Sequence, residues 1–170
     1  MKKLTALLVA PLAGVALLAG CTPNGSTAAM VNEVAIPNSR VTSYADSCAT
    51  LVQGDGTPEE IAADIRSEML TWAILGEMSS QHADSFGGPT EDEMRAYVED
   101  SWANRLLSAP ECAEAVLGLA RHDLIALGLG SDIGSYFSAF DIEVNPRYGQ
   151  WDLSRLEASG SGSLSEPAGL

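Results

Sequence analysis

Apolar positions recur along the chain at spacings that change from segment to segment, and each spacing predicts an element. Met30, Val34 and Ile36 share one face if Met30–Ile36 is extended, and Pro37 ends the run, so a short strand is expected here. Val41, Tyr44, Ala45, Cys48, Leu51 and Val52 then fall on one helical stripe from about Arg40 to Val52, with Asn38 or Ser39 as cap. Gly54-Asp55-Gly56 breaks that helix. Thr57-Pro58-Glu59-Glu60 places a capping threonine, a first-turn proline and a box glutamate in register. The helix it opens is expected to reach about Gln81. Ile61, Ile65, Met69, Trp72 and Leu75 line one stripe, and Leu70 and Ile74 widen it, as a central, heavily packed helix requires.

After a linker at Ser85–Pro89, Thr90-Glu91-Asp92-Glu93 repeats the capping box and predicts a helix to about Leu107. Met94, Val98, Trp102 and Leu106 are spaced four apart on it, with Tyr97 beside them. Ser108 and Glu111 frame the start of a further helix, with Pro110 in its first turn and Gly128 or Gly130 as its stop. Its stripe is Ala113, Val116, Leu117, Ala120, Leu124 and Leu127. Ile133, Tyr136, Phe137 and Phe140 have the spacing of a short helix; then Ile142 and Val144 alternate in a second strand that Pro146 ends. Neither strand is stable alone, and each has only the other to pair with. The fold class expected is therefore mainly α: a four- to five-helix body closed by a short two-stranded sheet formed from the two ends of the domain. Residues 30–152 make up that domain, and 153–170, Gly/Ser-rich from Glu157 onward, are expected to be a disordered tail.

Ahead of the domain, Met1-Lys2-Lys3 and the apolar segment Leu4–Leu18 have the layout of a secretory signal. The segment is shorter than the ~20 residues a spanning helix needs, and Pro11 and Gly14 interrupt it. Leu18-Ala19-Gly20-Cys21 resembles the lipobox of bacterial lipoproteins. That resemblance implies cleavage after residue 20, a lipid on Cys21, a lipidated tether over 21–29, and an extracytoplasmic location held to the cell membrane by lipid. Both lysines lie in the signal, so its removal takes the formal charge from −14 to −16 and leaves seven arginines as the cations. Such a balance repels phosphate backbones and excludes nucleic acid as a partner. It also repels anionic headgroups, which leaves lipid chains as the membrane attachment.

With Cys21 lipidated, Cys48 and Cys112 are a candidate disulfide pair in an exported chain; two buried free thiols are the other reading. No metal site is expected, because Cys-x-x-Cys is absent and His82 and His122 have no paired ligand spacing. Gly128-Leu129-Gly130-Ser131-Asp132-Ile133-Gly134 has the wrong glycine spacing for a phosphate loop and follows a helix, so a helix stop is expected and no cofactor. Glu91, Asp92 and Glu93 suit a helix N-terminus rather than acid–base catalysis. His122, between Arg121 and Asp123, is expected to be an exposed or capped structural histidine.

Ile36-Pro37-Asn38-Ser39-Arg40-Val41 after a strand, and Val144-Asn145-Pro146-Arg147-Tyr148-Gly149-x-Trp151-Asp152 after the closing strand, resemble the SurA-type extracytoplasmic chaperones. More narrowly, the chain is similar to small actinobacterial lipoproteins with a SurA N-terminal domain. The resemblance implies a helical domain that holds unfolded or newly exported polypeptide in an apolar groove. Full-length relatives carry a parvulin isomerase module before the last strand; the short connection from Gly128 to Tyr136 has no room for one, so no catalysis is expected. Met69, Trp72, Met94, Tyr97 and Trp102 are the large adaptable side chains of the body, either core or client contacts. The functions in view are a lipid-anchored polypeptide-binding protein with a chaperone-like role, and an accessory or structural lipoprotein subunit of a cell-envelope complex. A small-ligand-binding lipoprotein is disfavoured, because no convergent polar constellation is visible.

Overall fold

The structure, a computed structural model, describes residues 25–52 and 56–159. The signal segment 1–20, its lipobox and Cys21 lie outside the described residues. The chain is mainly helical, and a small sheet joins the two ends of the domain, as expected.

The sheet has three strands rather than two. What the alternation suggests as one strand is a hairpin: β1 (Thr27–Val31) and β2 (Val34–Pro37) pair antiparallel across a two-residue turn. Asn32 makes the turn at φ 54, a left-handed conformation that asparagine tolerates. Its side chain is anchored on both sides, accepting from the Asp141 amide (2.9 Å) and donating to Gln81 (2.8 Å). β3 (Ile142–Val144) adds antiparallel to the other edge of β1, giving the order β2-β1-β3. Val31 thus lies between Val34 and Ile142. β1 is central and wholly buried, which moves Thr27, Ala28 and Ala29 from the expected tether into the core.

α1 (Asn38–Ala49) follows β2 directly. Asn38 does not cap it: Pro37 holds the cap position, and the Asn38 side chain instead donates to the Gly25 carbonyl. α2 (Pro58–Phe86) carries the expected capping box at Thr57 and Glu60 and runs past Gln81 until Gly87, at φ 84, stops it. α3 opens with the second box, at Thr90 and Glu93, but covers only Glu91–Glu99. A 3₁₀ helix, Trp102–Ser108, replaces its expected second half. The Ser101 hydroxyl donates to the Val98 carbonyl and accepts from the Ala103 amide, and this local competition with the helix ladder breaks it. α4 (Pro110–Leu129) starts on Pro110 without a side-chain cap, because Ser108 turns back to the Arg105 carbonyl. Gly130, at φ 51, ends it, and Leu127 at its far end is 69% exposed rather than core. α5 (Ile133–Ser138) is the expected short helix.

α2 and α4 form the central pair, with α1 packed across both. They meet at glycines: a Cβ on Gly118 would lie 3.2 Å from the Gly76 Cα. The buried Ser79 hydroxyl spans the crossing, donating to the Gly76 and Gly118 carbonyls. A disulfide between Cys48 and Cys112 (Cα–Cα 5.0 Å) ties the last turn of α1 to the first turn of α4. Of the two readings of these cysteines, the structure contains the bridge.

The expected disordered tail begins in order. β4 (Gln150–Asp152) and β5 (Glu157–Ser159) form an antiparallel hairpin. Asp152 Oδ1 accepts from the amides of Ser154 and Arg155 and reverses the chain. Ser67 and Thr71, one turn apart on α2, then bond the carbonyl and amide of Ala158 (3.0 Å each). Backbone bonding to a helix side holds this segment together with apolar burial: Ala158 lies in the core, and Trp151 and Leu156 pack against it.

Candidate functional site

The five side chains singled out above divide. Met69 and Met94 are core. Trp72, Tyr97 and Trp102 come together at the surface between α2, α3 and α4 and line a hollow of about 380 Å³. The break after α3 creates it. Had the helix continued, Trp102 would share the buried stripe of Met94 and Val98; the turn at Ser101 swings it outward instead, 59% exposed. Its ring stands 6.5 Å from that of Trp72, tilted by 49°. Trp72 is buried apart from the part that floors the hollow. Val98, Val116, Leu119 and Ala120 supply apolar walls.

One carboxylate stands in this setting. Asp123 lines the hollow and accepts a long hydrogen bond from the Tyr97 hydroxyl (3.4 Å). Burial pushes its carboxyl above the usual range, and the Tyr97 bond offsets part of that. Tyr97 is raised in turn, by its own burial first and by the charge of Asp123 second. Among the described residues no cation pairs with Asp123.

The hollow has neighbours on both sides. Trp72 also lines a polar pocket of about 300 Å³ between α1, α2 and α4, where Arg40, Glu77, Glu114 and Arg121 gather. There the Tyr44 hydroxyl donates to Glu114 (2.7 Å), and burial followed by that carboxylate raises its pKa. On the other side Tyr97 lines a shallower depression of about 620 Å³, with Gly88, Pro89 and Leu124. The aromatic hollow thus shares Trp72 with the polar pocket and Tyr97 with the shallower depression. No family model, curated protein or solved structure matches the chain.

A further aromatic group escaped the sequence reading. Phe86, 80% exposed at the end of α2, joins His82, Tyr136 and Phe140 around a hollow of about 370 Å³. The His82 ring lies 4.9 Å from Phe86 and edge-on to Tyr136 at 5.2 Å. Its signal was the run Ile133, Tyr136, Phe137, Phe140, an aromatic density too high for the single buried face of a two-turn helix. Beneath it His122 is 4% exposed, against the expectation of an exposed or capped residue. Its Nδ1 lies 3.2 Å from the Tyr136 hydroxyl, and burial depresses its pKa to about 4, so it is a neutral structural imidazole. Among the described residues no group of three His, Cys, Asp or Glu side chains could hold a metal ion.

Proposed function

We propose that this chain is a lipid-anchored extracytoplasmic protein that binds extended polypeptide, with a chaperone-like role and no catalysis of its own. The observation that carries the reading is the apolar-walled hollow that Trp72, Tyr97 and Trp102 line at the surface. An extended segment turns alternate side chains to the same side, and a hollow of about 380 Å³ with apolar walls accepts one of them. Exposed aromatic rings at Tyr97 and Trp102 suit varied partners, since large rigid rings provide contact area at low entropic cost.

The lipobox at Cys21 supports an anchor, and the Cys48–Cys112 bridge suits an oxidising compartment outside the cytoplasm. Among the described residues no helix is long and apolar enough to cross a membrane. Kinship with the SurA-type N-terminal domain belongs to the same proposal. Its support is that the Asn38 and Asn145-Pro146-Arg147-Tyr148 motifs touch through their side chains.

Phe86 and its aromatic hollow favour a second reading, an accessory subunit of an envelope complex docked there on one fixed partner. Aggregation of several unrelated unfolded proteins, followed by light scattering with and without the purified full chain, separates the two. Broad suppression supports the chaperone-like role. No suppression, together with one stoichiometric co-purifying partner, supports the accessory subunit.

A further inference from the structure

The hollow between Trp72 and Trp102 has a chemical preference that follows from what lines it. Three aromatic side chains offer ring faces or edges, and tryptophan is the ring that attracts cations most strongly. Arg105 of the same chain already stands 6.0 Å from the centre of the Trp102 ring, so the ring accepts a guanidinium neighbour. The walls from Val98, Val116, Leu119 and Ala120 are apolar, as the methylene stem of a long basic side chain requires. Among the described residues Asp123 is the charged group that lines the hollow itself, and it accepts its hydrogen bond from the neutral Tyr97 hydroxyl. The neighbouring cation Arg121 lines the polar pocket on the other side of Trp72.

We propose that this hollow selects a lysine or arginine side chain from the bound polypeptide, its stem against Val116 and Leu119 and its charge between the Trp72, Tyr97 and Trp102 rings and the Asp123 carboxylate. The inference rests on the polypeptide-binding reading and specifies what that site prefers. An uncharged apolar side chain would strip water from Asp123 and return nothing to it, which costs free energy. An acidic one would add repulsion. A basic one supplies the missing counter-charge where part of the solvent is already excluded, and the formal charge of −14 draws basic segments to the surface as a whole. Burial already raises the Asp123 carboxyl, and a bound cation would bring it back down.

The test uses the full chain in detergent micelles and three fluorescent peptides, identical and apolar except for a central lysine, leucine or glutamate. Fluorescence anisotropy should show the lysine peptide binding about tenfold more tightly than the leucine peptide, the range of a cation–π and ion-pair contact combined. The glutamate peptide should be weakest. Asp123→Asn, a nearly isosteric change at a half-exposed position, should erase the lysine preference by weakening the lysine peptide and, with the cost of desolvating a carboxylate gone, tightening the leucine peptide. Raised salt should narrow the preference in the wild type alone. Leucine and lysine peptides of equal affinity, or a preference that survives Asp123→Asn, overturn the inference while leaving polypeptide binding in place. Absence of binding by all three overturns both.

Discussion

The Tyr148 hydroxyl donates a 3.0 Å hydrogen bond to Asn38 Oδ1, across a sequence separation of 110 residues. Asn38 in turn donates from its side chain to the Gly25 carbonyl (2.7 Å) and from its backbone to the Ser26 carbonyl (2.8 Å). Asn145 completes the junction: its buried side chain donates to the Thr27 carbonyl (2.8 Å), and its amide donates to the Ala28 carbonyl. The two ends of the domain are thus joined by side chains as well as by the pairing of β1 with β3.

Removing the Tyr148 hydroxyl should cost one hydrogen bond. Tyr148→Phe is expected to lower the unfolding free energy by about 1 kcal/mol, read from the urea midpoint at unchanged slope. Asn145→Ala should cost more, about 2–3 kcal/mol, because it withdraws the partner of a buried carbonyl. A Tyr148→Phe cost equal to that of Asn145→Ala would refute this ranking.

The Cys48–Cys112 bridge closes a loop with a sequence separation of 64. The chain-entropy relation gives about 4 kcal/mol for a loop of that size. Reduction with dithiothreitol should lower stability by that order while the helical circular dichroism persists in the absence of denaturant. Identical urea transitions before and after reduction would contradict it.

The α2–α4 crossing is tight at Gly118, and a methyl group there requires the two helices to give by a few tenths of an ångström. Gly118→Ala brings its Cβ to 3.2 Å from the Gly76 Cα, a backbone atom that moves only with its helix. Overpacking costs of about 1–3 kcal/mol exceed the ~1 kcal/mol gained from helix propensity. The variant should be less stable by about 1 kcal/mol in thermal or urea unfolding, and a stabilised variant would show that the helices slide apart freely.

Acid should weaken the fold through His122. Its imidazole titrates near 6.5 when unfolded and is depressed to about 4 when folded, the cause being burial. Below pH 6.5 the unfolded chain takes up a proton that the folded chain refuses until about pH 4, so stability falls across that window and levels beneath it. The full difference is roughly 3 kcal/mol. Glu60 and Glu93 are held below their usual range by their capping bonds and add to the acid loss, so the comparison is between wild type and His122→Gln. The variant's stability profile should be flatter between pH 6.5 and 4, and parallel profiles would refute the assignment.

Features specified by neighbouring residues were legible in the sequence. The boxes Thr57/Glu60 and Thr90/Glu93, the proline at the start of α4 and the stripes of α2 each rest on contacts within one or two turns, and all of them form. Features decided at a distance were not. The Asn32-Glu33 turn lacks the glycine that marks most two-residue hairpins, and its asparagine is stabilised by Asp141 and Gln81 far along the chain. The β4–β5 hairpin depends on Ser67 and Thr71, two polar residues whose role shows only once α2 is present beside them. Ser101 was visible, but its weight against the Met94–Val98–Trp102 spacing was not, and Trp102 is exposed for that reason. The candidate site was therefore half legible: the aromatic residues were identifiable, while Asp123 emerges only when α3 and α4 lie side by side.

Polypeptide contact at Trp102 is tested most directly by placing a benzophenone photocrosslinker there in the purified full chain and irradiating it with two unrelated unfolded proteins. The same label in place of the exposed Asp64 on α2 serves as the control position. Adducts to both unfolded proteins from position 102, few from position 64 and none with the folded forms are the predicted result. Equal labelling from the two positions, or none from position 102, would contradict the account.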